Sequence, residues 1–176
     1  MAKQTVFFAL AVGFQLAILA AVPARQIHAR LTGTLITIRT APVDPYDFLS
    51  GYHVVLRYEI SQVSKEQWAA VSSPQNPAAT VYAVLKKGPE DIWSLESLSR
   101  TLPKNLSPEQ IAVKGRIHRD QILYGIEHFF IPEEGRNELE TALRNNRERA
   151  LAQIRVDKYG NAALIRLIVQ GKTYEY

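Results

Sequence analysis

The chain has 176 residues, 47% hydrophobic and 22% charged, with a formal net charge of +4 and a pI near 9.4. This fits one globular domain with a short appendage and excludes a disordered chain. There is no cysteine, which excludes a disulfide framework, a thiolate nucleophile and a cysteine-built zinc ribbon. The basic residues are scattered, and Arg144, Arg147 and Arg149 lie among acids. A nucleic-acid surface calls for a basic stripe with interleaved aromatics, so no nucleic-acid partner is expected.

The first element is the charge-free run from Gln4 to Ala24, QTVFFALAVGFQLAILAAVPA. It has about the 20 residues that a bilayer core demands of a helix. Two readings stand: an uncleaved anchor ending near Pro23, or a signal peptide cut after the small residues around Val22 and Ala24. A third, a buried core helix, lacks the polar face at helical spacing that such a helix carries. The anchor is the leading expectation, with residues 1–26 as the membrane segment and 27–176 as the domain. Arg25, Arg30 and Arg39 follow the run and only Lys3 precedes it. That count favours a cytoplasmic domain, whereas a minimal basic head before an apolar run is the form of an export signal. The expectation is a single-pass membrane protein with its domain outside the cytoplasm.

From Leu31 the apolar period becomes two. LTGTLITIRT (31–40) predicts a strand, and the prolines and aspartates of APVDPYDFLSG (41–51) a turn. Tyr52, Val54, Leu56, Tyr58 and Ile60 then alternate with His53, Val55, Arg57 and Glu59, predicting one strand with an apolar face. Ser64 and Gln67 form a capping-box pattern opening a short helix over 64–71, and SSPQNP (72–77) breaks the chain. TVYAVLKK (80–87) predicts a strand; DIWSLESLSR (91–100) is ambiguous between strand and helix. IAVKGRIHR (111–119) and ILYGIEHFFI (122–131) predict paired strands turning near Asp120. Pro132, with Glu133 and Glu134 in the first turn and Arg147 and Arg149 in the last, predicts a helix over about 133–149. Gly135 sits oddly in its first turn, where glycine costs about 1 kcal/mol relative to alanine. LAQIRVD, AALIRLIVQ and TYEY predict closing strands. LIRLIV, apolar on both faces except at Arg166, reads as a central strand.

GYHVVLRY (51–58) resembles the signature of the GDYXXLXY family of membrane-anchored bacterial proteins. Gly51, Leu56 and Tyr58 match; Tyr52 stands where the signature has aspartate, and His53 where it has tyrosine. APVDPYDFLSG, VKGRI (113–117), YGIEHFFIPEEGRNELE (124–140) and VDKYGNAALIRLIVQGK are also similar to the family, so the resemblance spans about residues 27–176. It marks Gly51, Leu56, Tyr58, Gly125, Glu127, Pro132, Glu133 and Gly135 as family-motif residues. The resemblance implies one N-terminal membrane span and no particular activity.

The residues support no catalytic set. Ser50 before Gly51 loosely resembles the nucleophile of a signal-peptidase-like Ser/Lys hydrolase. A nucleophile needs a base within hydrogen-bond reach, and the sequence places none of Lys86, Lys87 and Lys114 beside Ser50. His28, His53, His118 and His128 lack the close spacing of a metal site. Asp44 and Asp47 fit Asx-turns, and the dispersed glycines make no phosphate loop. No catalytic, metal or cofactor-binding residue is expected.

The expected fold is α+β: a mainly antiparallel sheet curled toward a barrel or sandwich, one packed helix, and a single N-terminal transmembrane helix. The expected function is a non-enzymatic, membrane-tethered module that binds another membrane or extracytoplasmic protein. A membrane-tethered hydrolase, and a carrier of apolar ligands inside the curled sheet, are the alternatives. Glu127, within an apolar strand, is expected to pair with Arg116, because a buried carboxylate needs a partner.

Overall fold

The structure, a computed structural model, describes residues 2–41, 49–50, 53–71, 79–119, 121–130 and 150–175. The chain opens with helix α1 (Ala2–Thr32). It bends by 47° between Val6–Leu19 and Pro23–Thr32. Proline lacks an N–H and its ring clashes with the carbonyl four residues back, which kinks a helix. No single helix among the described residues is long and apolar enough to cross a membrane; the bent pair together has the length and composition.

The helix runs through the expected boundary at residue 26, and Leu31 and Thr32, expected in a strand, are helical. The Thr32 hydroxyl donates to the His28 carbonyl at 2.8 Å, so this β-branched residue satisfies itself within the last turn. Tertiary packing of the second half of α1 on the two strands at Leu151–Val156 and Ala162–Val169 outweighs the local strand preference. Gly33 ends the helix, donating its N–H to the Ala29 carbonyl at 2.9 Å. A Cβ here would sit 2.5 Å from that carbonyl and 2.8 Å from the Val156 nitrogen. Only glycine allows so close an approach.

The remaining described chain is β-rich and forms a curled, open half-barrel. Strand β1 (Thr34–Ala41) is followed by β2 (Leu49–Ser50), β3 (His53–Val55), β4 (Arg57–Tyr58), a 3-10 turn (Glu59–Ser61) and helix α2 (Lys65–Val71). Next come β5 (Thr80–Lys87), β6 (Ile92–Ser99), β7 (Gln110–His118), β8 (Gln121–Leu123) and β9 (His128–Phe130). The last strands are β10 (Leu151–Val156), β11 (Ala162–Val169) and β12 (Lys172–Glu175). The main sheet runs β12-β11-β10-β1-β6-β5-β7-β8, with β4 also paired to β1; β2, β3 and β9 form a second, three-stranded sheet. Every pairing is antiparallel except β1 with β6.

Alternation builds the core. Ile36 and Ile38 of β1, Val81, Ala83 and Leu85 of β5, and Ala152, Ile154 and Val156 of β10 are all buried, as one face of each strand must be. Ser64 caps α2 as its sequence foretold: its Oγ accepts the Gln67 N–H at 3.2 Å, and Gln67 Oε1 accepts the Ser64 N–H at 3.1 Å. The ambiguous 91–100 segment is strand β6.

LIRLIV lies in β11, an inner strand one from the edge rather than a central one. Its successive buried residues Ala162, Ala163 and Leu164 reflect α1 packing on it, which covers a second face. The helix expected over 133–149 lies outside the described residues.

Two expected strands are each broken, and in a related way. Residues 53–55 pair with β9 in the small sheet, whereas 57–58 pair with β1 in the large one. Likewise 121–123 pair with β7 in the large sheet and 128–130 with β3 in the small one. Both segments change sheets, one at Leu56 and the other across 124–127. Alternation alone does not register such a change. Leu56, Tyr58 and Ile60 stay buried while Arg57 is exposed, so the apolar face is preserved although the strand is not.

Candidate functional site

The two sheet-changing segments meet at a corner built from reciprocal hydrogen bonds. The Leu56 N–H donates to the Glu127 carbonyl at 2.7 Å. The Tyr58 hydroxyl donates to the Ile126 carbonyl at 2.6 Å, and the Tyr124 hydroxyl to the Ile60 carbonyl at 2.6 Å. Each phenol thus supplies a main-chain oxygen that the sheet ladders leave unpaired, as a buried carbonyl requires. Burial, with the nearby Glu127 charge adding to it, pushes both phenols well above the ordinary tyrosine range. Such hydroxyls serve as hydrogen-bond donors rather than bases.

Glu127 holds the turn of this corner. Its Oε1 accepts the Tyr124 N–H at 2.5 Å and its Oε2 the Gly125 N–H at 2.8 Å. Gly125 has φ +79, a left-handed conformation that glycine adopts without steric cost. Its carbonyl accepts from the Gln26 side chain of α1 at 3.2 Å.

A second constellation joins α1 to the turn between β10 and β11. The Asp157 side chain is fully buried and accepts four hydrogen bonds. Its Oδ1 takes the Tyr159 and Asn161 N–H groups, each at 2.9 Å; its Oδ2 takes Asn161 Nδ2 at 3.0 Å and His28 Nδ1 at 2.8 Å. Burial pulls its pKa up, but the hydrogen bonds from Asn161, His28 and the two backbone N–H groups prevail and hold it below the usual carboxylate range. The Lys114 N–H donates to the Gly160 carbonyl at 2.8 Å, fixing the turn to β7. Between α1, this turn and the β5–β7 pair lies an open cleft of about 540 Å³, lined by residues including Arg25, His28, Tyr82, Leu102, Lys114 and Tyr159.

The corner joins the two segments that carry the most characteristic sequence, and a family model for GDYXXLXY protein matches residues 15–167. The chain belongs to the GDYXXLXY family. The match begins inside α1 and ends inside β11, so it takes in more of the helix than the motifs alone indicate. No curated protein and no solved structure matches the chain.

For this member of the GDYXXLXY family, the structure places Leu56, Tyr58, Gly125 and Glu127 together at the corner. There Leu56 and Tyr58 are core residues and Gly125 and Glu127 form the turn. Gly51, Pro132, Glu133 and Gly135 lie outside the described residues, as do Asp44 and Asp47. The expected Glu127–Arg116 pair is replaced: two backbone N–H groups satisfy the carboxylate. The break after Leu123 turns Glu127 back onto its own segment, so an acceptor for local N–H groups is available without an arginine.

The Ser50 backbone pairs with His53 in the small sheet. Lys86 and Lys87, considered as its bases, lie on β5 and engage Glu96 at 3.8 Å and Asp91 at 2.8 Å. No group of three or more His, Asp or Glu able to hold a metal occurs among the described residues. Sequence reasoning missed the His28–Asp157 contact, which joins residues 129 positions apart. Asp157 ends the predicted strand LAQIRVD, and nothing in that stretch or in the KYGN after it identifies the helix that docks there.

Proposed function

We propose that this protein is a membrane-tethered, non-enzymatic accessory domain that binds another membrane or extracytoplasmic protein. One observation carries the reading: α1 joins a half with apolar side chains in solvent to a half docked on the domain. Phe7, Phe8, Leu10, Phe14, Leu16 and Leu19 are all exposed, Phe7 and Phe8 by 72%. At about 3.6 residues per turn these positions point to every side of the helix. An all-round apolar helix suits lipid rather than one protein groove.

Beyond the bend the character changes. Ala29 is fully buried, Gln26 reaches Gly125, and His28 reaches Asp157. A tether docked in this way transmits the orientation of the membrane segment to the β-rich domain, as an accessory module holding a partner at a fixed height requires. Extracytoplasmic placement rests on the export-signal form of residues 1–24.

The test uses the full chain in its native membranes. Carbonate washing is expected to leave it in the pellet, and photo-crosslinkers on the β-rich domain to give a discrete protein adduct. Release into the supernatant overturns the tether; retention with no protein adduct overturns the interaction module.

A further inference from the structure

The cleft beside α1 is lined by two cations from different elements. Arg25 comes from the helix and Lys114 from β7, and both line the cleft. Among the described residues neither side chain has an acidic or hydrogen-bonding partner, whereas Lys86, Lys87 and Arg166 each engage a carboxylate. The acid in the cleft, Asp157, is already saturated: four donors occupy its two oxygens. Its oxygens hold the helix to the turn, and with two cations against one carboxylate the described lining keeps a net positive charge.

We propose that this cleft binds a phosphate-ester anion. The guanidinium of Arg25 offers a planar fork suited to phosphate, and Lys114 a point charge. Tyr82 and Tyr159 also line the cleft. Two cations on one cleft, one of them a guanidinium with several N–H donors, suit the several oxygens of a phosphate better than the two of a carboxylate. Leu102 gives the lining an apolar contact for the organic part of the ester. The volume, about 540 Å³, lies within the range of small-ligand sites.

Position suggests where such an ester comes from. Arg25 lies two residues beyond Pro23, where the apolar half of α1 ends, so a tethered chain holds the cleft at the depth of lipid headgroups. The lipid source rests on the tether proposed above; the phosphate chemistry does not. A soluble phosphate ester presents the same anion.

The experiment is calorimetric titration of the full chain in neutral detergent with glycerol phosphate, with glycerate as the carboxylate control. It is paired with incorporation into nanodiscs of phosphatidylcholine with or without phosphatidylglycerol, read by native mass spectrometry of retained lipid. Saturable binding of glycerol phosphate or selective retention of phosphatidylglycerol is expected, weakened about tenfold or more in Arg25→Gln/Lys114→Gln. Lys87→Gln, whose side chain engages Asp91 and is outside the cleft lining, is expected to bind as the parent does. Retention of the lipid without binding of glycerol phosphate assigns the lipid as source; binding of glycerol phosphate by a chain that carbonate releases from membranes assigns a soluble ester. Glycerate binding as tightly as glycerol phosphate, no binding of either probe, or undiminished binding by a double variant with an unchanged melting temperature overturns the proposal. If the double variant melts early, Lys114→Gln alone gives the same decision.

Discussion

The Tyr58 hydroxyl donates to the Ile126 carbonyl at 2.6 Å, linking two segments that are each changing from one sheet to the other. A change of sheet interrupts the ladder and strands main-chain polar groups in the core, and a buried phenol supplies the missing donor. Tyr58→Phe removes it and leaves the carbonyl unsatisfied, for an expected loss of about 1–3 kcal/mol. Leu56→Ala, in the same segment, should cost about 2–5 kcal/mol as a buried leucine does. Arg57→Ala, at an exposed position, should stay within about 0.5 kcal/mol. Denaturant unfolding of the three variants checks the series; equal losses at 57 and 58 would contradict the corner.

Gly125 and Glu127 should act as a unit. Gly125→Ala forces a side chain into a left-handed conformation and is expected to cost about 1–2 kcal/mol. Glu127→Ala removes the acceptor of two N–H groups, and Glu127→Gln, which keeps one acceptor oxygen, should cost less. A double-mutant cycle should give a coupling of about 0.5 kcal/mol or more, as for residues in one network; strict additivity would count against the turn.

The phenols give a spectroscopic readout. Because burial and then Glu127 raise the pKa of both Tyr58 and Tyr124, two of the eight tyrosines should ionise only when the protein unfolds in alkali. Tyrosinate absorbance followed beside circular dichroism checks this. Ionisation of all eight before unfolding would contradict it.

Asp157 predicts an acid-side dependence. Its folded-state pKa is depressed, so the unfolded chain takes up the proton first as pH falls. The stabilisation is therefore complete above about pH 5 and is lost progressively below about pH 4, through the folded pKa. Asp157→Asn should cost about 1–3 kcal/mol at neutral pH, with the gap in melting temperature to the parent narrowing below about pH 4. A gap independent of pH would mean that the charge plays no part.

Sidedness is open to a direct test. With the domain outside the cytoplasm, protease added to intact spheroplasts should digest it; protection until lysis would place it inside, as the count of Arg25, Arg30 and Arg39 favours.

The sequence by itself determined what depends on neighbours along the chain. The Ser64–Gln67 cap, the alternation of Ile36 and Ile38 with Thr37 and Arg39, and the β10–β11–β12 succession follow from local spacing and turn chemistry, and the family was legible from the order of its motifs. Only the tertiary structure decided which surface each segment meets. Leu31 and Thr32 prefer strand locally but are helical because α1 docks on β10 and β11. The GYHVVLRY stretch alternates like one strand, yet it divides at Leu56, where the second half finds β1 instead of β9. Glu127 found backbone N–H groups rather than Arg116 because its own segment turns at Gly125. His28 and Asp157 meet across 129 residues, and the Arg25–Lys114 cleft exists only once they do. Periodicity reports which side of a segment is apolar; the partner that covers that side is fixed by long-range closure, which no local window contains.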